Sequence, residues 1–187
     1  MDKERLHQLM EQKVADARRA VLKRIERDNI ISFKTYYLTD YGERLLHTIA
    51  DTVLDRLGRH DMLDIIYSAA KELVINATKA NFKRVLFLEK KIDASNPVEY
   101  ERGLEIFRDN LTEERIRSYR DKFVEYGYPV EATFYFQPDV FFIKVKNNFT
   151  LHPAEEQKIR EKFREAHTFA NLLDFYTEYG DNTEGAG

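Results

Sequence analysis

The chain has 187 residues, of which 30 are Lys or Arg and 33 are Asp or Glu, so its formal net charge is −3. This near-neutral balance argues against nucleic acid or an anionic membrane as an electrostatic partner. The sequence contains no cysteine, no run of about 18 apolar residues and no apolar signal-peptide segment in MDKERLHQLMEQK. We therefore expect a cytoplasmic protein without disulfides, thiolate metal sites or membrane spans.

The first predicted element is a long helix over residues 2–28, because this stretch has many strong helix formers and neither Gly nor Pro. Its apolar residues recur at spacings of three and four: Leu6, Met10, Val14, Ala17, Val21 and Ile25. The apolar stripe is narrow, so the helix needs a partner, either another helix of the same chain or its copy in a dimer. We prefer the dimer and expect a homodimer.

Residues 30–58 are predicted to form a connection and a second helix. Ile30 to Phe33 and Tyr36 to Leu38 make an apolar, aromatic connection. The helix is expected over residues 40–57, and Gly58 suits its C-terminal stop. Its core-facing residues share an apolar helical spacing: Leu45, Leu46, Ile49, Val53, Leu54 and Leu57.

A third helix is predicted from Asp61, as its N-cap, to about Leu88. Helical spacing places four polar side chains on one face: Glu72, Asn76, Lys79 and Lys83. Amide and carboxylate oxygens suit Mg²⁺, and lysine neutralises phosphate, so the stripe fits a metal-bound polyphosphate. The alternative is a solvated face with spaced charge pairs. The opposite face of this helix is predicted to carry four apolar residues: Leu73, Val74, Ala77 and Val85.

The second half of the chain is predicted to combine helices with a hairpin. A helical region over residues 98–126 is interrupted near Asn110, with Thr112 as a cap for the helix that follows. Residues 130–136 and 140–146 alternate as strands, and Gln137, Pro138 and Asp139 supply a tight turn between them. The sequence therefore predicts an antiparallel hairpin.

The run Glu72 to Ala80, ELVINATKA, resembles the N box of the ATP-binding domain shared by histidine kinases, gyrase-type ATPases and related heat-shock chaperones, which reads E-L-x-x-N-A-x-K-A/H. The resemblance implies that Asn76 holds Mg²⁺ and that Lys79, with Lys83 nearby, meets the phosphates of ATP. It implies that Glu72 acts as a general base or positions water. It also implies an α/β (α+β) fold, a two-layer sandwich of helices on a mixed, mainly antiparallel sheet.

The glycine boxes of that family are matched less well. Where the family has D-x-G-x-G after the strand, this chain reads Lys146, Asn147, Asn148, Phe149, so the aspartate and both glycines are missing. Asn147 is the residue left to offer an amide to adenine. A helix resembling E-E-x-x-K-I-F-E-x-F follows from Glu155, and another is expected over residues 168–179. Gly185 and Gly187 resemble the start of the second glycine box, whose backbone amides receive phosphates.

The resemblance to histidine kinases makes His47 a candidate phosphoacceptor. It is followed by Thr48-Ile49-Ala50-Asp51 and lacks the adjacent acidic residue and the proline of that family. We therefore do not predict autophosphorylation, and a histidine packed or half exposed on a helix is the preferred interpretation.

Together these features predict an N-terminal helical, dimerising region over residues 1–58 and an ATP-binding-like domain over residues 59–187. The expected function is Mg-ATP binding in signalling, with ATP hydrolysis or phosphorylation of a protein such as a response-regulator-like substrate. The alternative is a degenerate, non-catalytic scaffold that keeps the fold and binds partners. The altered D-x-G-x-G segment favours the scaffold, and the N-box residues favour the ATP site.

Overall fold

The structure of the protein is a computed structural model that describes residues 3–166. It separates into two compact units, Met1–Asn148 and Phe149–Gly187. The described helices of the first unit are α1 (Lys3–Ile25), α2 (Asp40–Arg56), α3 (Leu63–Glu89), α4 (Pro97–Asp109), α5 (Glu113–Ser118) and α6 (Arg120–Glu125). Its strands are β1 (Ile30–Thr35), β2 (Val130–Gln137) and β3 (Val140–Asn147). The second unit contains α7 (Pro153–Ala166).

The three strands form one antiparallel sheet in the order β1-β2-β3. The predicted hairpin of β2 and β3 is confirmed, with Phe134 opposite Ile143. The prediction that Ile30 to Phe33 is a mere connection is wrong, because this segment is strand β1. Ile31 lies opposite Phe134. The pairing joins residues about a hundred positions apart, so local sequence patterns carry little information about it.

Helices α1, α2 and α3 cover one face of the sheet, and the main hydrophobic core lies between the two layers. This core contains residues of α1, α2, α3, β1 and β2, including Val21, Ile31, Leu46, Ile49, Val53, Val74, Ala77, Val130, Ala132 and Phe134. The opposite face of the sheet is open over part of its area, where the side chain of Phe142 is 63% exposed. The structure therefore belongs to the α+β class, with helices on one side of an antiparallel sheet.

Helix α3 also contributes to a second hydrophobic cluster. Its C-terminal half packs against α5, α6 and the segment after β1, through Tyr37, Phe82, Val85, Leu86, Ile116 and Phe123. The predicted interruption of the helical region over residues 98–126 is confirmed. Thr112 caps α5 by accepting a hydrogen bond from the backbone N–H of Arg115 at 3.2 Å.

The narrow apolar stripe of α1 finds a partner within the same chain. Val21 and Ile25 are buried in the main core. Two ion pairs also join α1 to α2, between Arg18 and Asp51 at 3.1 Å and between Glu11 and Arg44. The partner of α1 is thus another helix of the same chain, and the homodimer stays a prediction.

One detail at the start of α3 differs from the sequence analysis. Asp61 is not the N-cap, because residues His60–Met62 form a 3-10 turn and Met62 precedes α3. The carboxylate of Asp61 instead accepts a hydrogen bond from the Arg59 guanidinium at 3.2 Å, which lowers the pKa of Asp61. Residues on both sides of position 58 share the main core, and the division of the chain at this position stays a prediction.

None of the helices in the described part of the chain has the length and apolarity needed to cross a bilayer.

The close approach of α3 and α4 gives a test of the packing. A Cβ atom on Gly103 would lie 2.6 Å from Cζ of Phe87, which is itself buried. We expect Gly103→Ala to lower the free energy of unfolding by about 1–3 kcal/mol, because the phenyl ring must move. Chemical denaturation measures this change. Glu101→Ala, at an exposed position of the same helix, should stay within about 0.5 kcal/mol, and equal stability of both variants would contradict this packing.

Candidate functional site

The polar stripe of the N-box-like segment lies on α3, as predicted. Glu72 is exposed, while Asn76, Lys79 and Lys83 are half-buried. Their spacings of four, three and four residues place them on one face of the helix, with about 6 Å of axial rise between Glu72 and Asn76. Val74, Ala77 and Val85 are buried on the other side. Leu73 differs from the expectation, since it is 44% exposed.

The members of the stripe differ in what they contact. Within residues 3–166, the side chains of Glu72, Asn76 and Lys79 make no hydrogen bond or ion pair with the protein, so their polar groups remain available to a ligand. Lys83 has an internal contact, because its ammonium lies 5.9 Å from the ring centroid of Phe107 in α4. A cation–π contact of this kind holds the Lys83 stem against the helical region.

Lys71, one residue before the stripe, is instead paired within the protein. Its ammonium lies 2.7 Å from the carboxylate of Glu43 in α2, and this hydrogen bond raises the pKa of Lys71. Both side chains are about one-third exposed, so water screens the pair and its contribution to stability is small. The pair ties α3 to α2 and leaves Glu72 as the first polar group of the stripe.

Asn147, the predicted adenine-binding residue, also reaches α3, but on the sheet-facing side of the helix. Its Nδ2 group donates to the carbonyl oxygen of Ala77 at 2.8 Å and to Oδ1 of Asn81 at 2.6 Å. The end of β3 is thereby held against the turn of α3 that carries Asn76. The structure thus gives Asn147 an internal role, and its contact with adenine stays a prediction.

Asn81 is the residue that the sequence analysis missed. Its side chain is fully buried, and its Nδ2 donates to the backbone carbonyl of Tyr128 at 2.7 Å. The signal in the sequence was an amide placed four residues after Ala77 and four before Val85, both of which occupy core positions. A polar residue at a core position of a helix needs partners, and Asn81 has them in two other elements.

The other predicted features include residues that the structure does not describe. Gly185, Gly187 and the predicted helix over residues 168–179 lie outside the described residues. The helix predicted from Glu155 is present as α7. His47 is exposed on α2, and its ring meets that of Tyr67 edge-on at 5.1 Å. This packing contact agrees with the preferred interpretation of His47.

Comparison with known proteins adds little to this geometry. No protein-family model matches the chain, and no solved structure matches it. The chain is 31% identical over 167 residues to an uncharacterized protein of Treponema pallidum (strain Nichols). The aligned region covers 89% of this chain and 32% of that protein, so the chain spans about a third of its relative's length.

The side-chain amide of Asn147 donates to α3, and this contact predicts what happens when the aspartate of the resembled family is placed at position 147. We expect Asn147→Asp to lower the free energy of unfolding by about 1–3 kcal/mol at neutral pH, because a carboxylate would face two oxygens and lose both hydrogen bonds. The folded-state pKa of the introduced carboxyl would be raised, so its protonated form is favoured in the fold. The loss should therefore shrink as pH falls through this raised pKa and be smallest below about pH 4.

Denaturation at pH 7 and at pH 3.5 measures this effect. Asn148→Asp is the matched control, because it adds the same charge at an exposed neighbour whose amide makes a single 3.2 Å bond to the carbonyl of Gly127. A loss at Asn147 no larger than that at Asn148 would show that the two internal bonds of Asn147 are unimportant.

Proposed function

We propose that the chain binds Mg-ATP along the polar stripe of α3, as a signalling domain similar to histidine kinases and related ATPases. The observation that carries the proposal is that Glu72, Asn76 and Lys79 share one face of a helix that two hydrophobic clusters hold, and that their polar groups are not used inside the described structure. Free polar groups on a rigid element are what a binding site needs.

The oxygen atoms of the polar stripe are suited to Mg²⁺ that arrives with a nucleotide. Within residues 3–166, no group of three or more His, Cys, Asp or Glu side chains is placed to hold a metal ion by itself. Mg²⁺ that arrives with a nucleotide needs fewer protein ligands, because it keeps several waters and the phosphate oxygens. The amide oxygen of Asn76 fits this requirement, and the ion would neutralise phosphate charge there.

The proposed roles of the other residues follow from their chemistry. Lys79 supplies a positive charge for phosphate, and Lys83 adds a second on the same face. Glu72 is exposed, so its carboxylate can accept a hydrogen bond from the attacking water or hydroxyl group and orient it. The proposed outcome is hydrolysis of ATP or transfer of its phosphoryl group to a protein.

Three expectations from the sequence belong to the same proposal. They are a homodimer, a response-regulator-like protein substrate and a cytoplasmic location. The absence of cysteine from the sequence supports the last of these. Phosphate binding by Gly185 and Gly187 stays a prediction.

A non-catalytic interaction module is the second candidate function. It is favoured by the open face of the sheet, where Ile30 is 38%, Val140 is 41% and Phe142 is 63% exposed. Ile30 and Phe142 both pair with Tyr135, so the side chains of Ile30, Tyr135 and Phe142 form one row across the three strands. Exposed apolar rows are typical of surfaces that contact other proteins.

The metal assignment is tested by Asn76→Ala. We expect the native chain to bind Mg-ATP and the variant to bind it at least about tenfold more weakly, because one metal ligand is lost. Binding of ATP without Mg²⁺ should change little. Isothermal calorimetry measures both affinities, with Asn29→Ala, at an exposed asparagine outside α3, as control. Equal Mg-ATP affinity of Asn76→Ala and the native chain would refute the assignment, and no binding by the native chain at millimolar nucleotide would favour the interaction module.

The role of Glu72 has a separate test. We expect Glu72→Gln to keep Mg-ATP affinity within about twofold but to reduce phosphate release or phosphoryl transfer by about a hundredfold, because the amide cannot accept a proton. Phosphate release and labelling of protein with radioactive ATP are the measurements. Glu101→Gln, an exposed substitution on α4, should leave both rates unchanged. Undiminished turnover in Glu72→Gln would exclude a general-base role.

A further inference from the structure

The open face of the sheet, on the side away from α1, α2 and α3, has an apolar end and a basic end. Alternate residues of each strand belong to this face, and the pairing register places them in rows. The row near the hairpin turn is apolar and consists of three side chains: Ile30, Tyr135 and Phe142. The next two rows carry exposed lysines: Lys34, Lys144 and Lys146.

The positive charges of the basic end are not neutralised within residues 3–166. In this range the ammonium groups of Lys34, Lys144 and Lys146 make no hydrogen bond or ion pair. Glu131 lies in the same row as Lys34 and Lys146, but it is paired with neither. Three lysines against one glutamate leave a local surplus of positive charge in a chain whose formal net charge is −3. This surplus favours an anionic partner.

A groove of about 890 Å³ occupies the apolar end of the face, between the hairpin and the turn that joins α1 to β1. Its walls include Ile30, Tyr135, Val140 and Phe142, and it extends to Lys144. Ligand-binding cavities in proteins measure about 300–1,000 Å³, so the groove has room for hydrophobic side chains. Ile30 and Val140 are aliphatic and offer no ring on which a nucleic-acid base can stack. The groove therefore fits hydrophobic side chains better than bases.

The charges on the turn between α1 and β1 balance one another. Asp28 is paired with Arg24 at 2.7 Å, and Glu26 is next to Arg27. The charge that a ligand meets beyond the groove is therefore that of the lysines.

The spacing of the side chains along β3 matches an extended peptide. On β3, four side chains of the open face follow one another at every second position, about 7 Å apart: Val140, Phe142, Lys144 and Lys146. Alternate side chains of an extended peptide lie the same distance apart and on one side. A segment with hydrophobic and then acidic residues at alternate positions would place the first in the groove and the second on the lysines.

We propose that the open face of the sheet binds an extended segment of a partner protein that carries hydrophobic and then acidic side chains at alternate positions. The hydrophobic side chains fill the groove beside Phe142, and the acidic ones meet Lys144 and Lys146. This inference rests on the second candidate function, the interaction module, and specifies its partner. It is independent of Mg-ATP binding, because α3 packs against the other face of the sheet.

The test uses two fluorescein-labelled peptides, GSFSVSESES and GSFSVSKSKS, with the full 187-residue chain. Fluorescence anisotropy measures both affinities. We expect the native chain to bind the glutamate peptide at least about tenfold more tightly than the lysine peptide, because the charges are complementary. Phe142→Ser should weaken binding of the glutamate peptide by about tenfold, since it removes an aromatic wall of the groove.

Lys144→Glu distinguishes a charge contact from a change in the fold. It should weaken binding of the glutamate peptide by about fivefold and strengthen binding of the lysine peptide by a similar factor, because the sign of the charge is reversed. A defect in the fold would weaken both. Lys90→Glu, at an exposed position just after α3, is the matched control and should change neither affinity.

The outcomes separate this inference from the Mg-ATP site. Equal binding of the two peptides by the native chain, or unchanged affinities in Lys144→Glu, would overturn the acidic specificity. No binding of the glutamate peptide at about millimolar chain would overturn the whole inference, and the lysines would then keep the edge strands β1 and β3 from pairing with other chains. Tighter binding of labelled poly-U RNA would assign the face to nucleic acid instead. Calorimetry should show the same Mg-ATP affinity in Lys144→Glu as in the native chain, so either proposal can fail alone.

Discussion

The hydrogen bonds of one buried amide set the geometry on which the rest of the structure depends. A fully buried asparagine is tolerated only when its polar atoms have partners, because an unpaired amide costs about 1–3 kcal/mol. Asn81 finds its partners at the end of β3 and in the segment before β2. Other buried polar side chains, such as Thr52 and Thr78, bond back to their own helix. Asn81 instead joins different elements, and so it fixes both the rotation of α3 and its position along the sheet.

That rotation determines which residues of α3 face the core and which remain available. On α3, Val74, Ala77 and Asn81 lie against the sheet, and Phe82 and Val85 lie in the second hydrophobic cluster. The apolar side chains of the helix are therefore buried in two clusters along its length. The face that carries Glu72, Asn76 and Lys79 is left for solvent or a ligand. The backbone of such a helix is preorganised, because moving the helix would require repacking of two clusters.

The proposed likeness to histidine-kinase-type ATPases leaves one difference in sequence to explain. The N-box residues are matched, while an asparagine stands where the family has an aspartate after the strand. A carboxylate there would face the Ala77 carbonyl and Oδ1 of Asn81, two acceptors, so the asparagine is complementary to its surroundings. Asn81 and Asn147 therefore form a matched pair. The relative from Treponema pallidum, at 31% identity over 167 residues, offers a natural comparison for the same two positions.

The sequence by itself determined the local elements, because helical and strand periodicity, the Thr112 cap and the turn at Pro138 act over a few residues. It predicted α2, α3, α7 and the hairpin, and it placed the stripe from Glu72 to Lys83 on one helix face. Only the tertiary structure decided the rest. The pairing of Ile31 with Phe134, the packing of α1 on α2 and the bonds of Asn147 to Ala77 and Asn81 join residues that are distant in sequence. Such contacts depend on how whole elements pack, which no local pattern encodes.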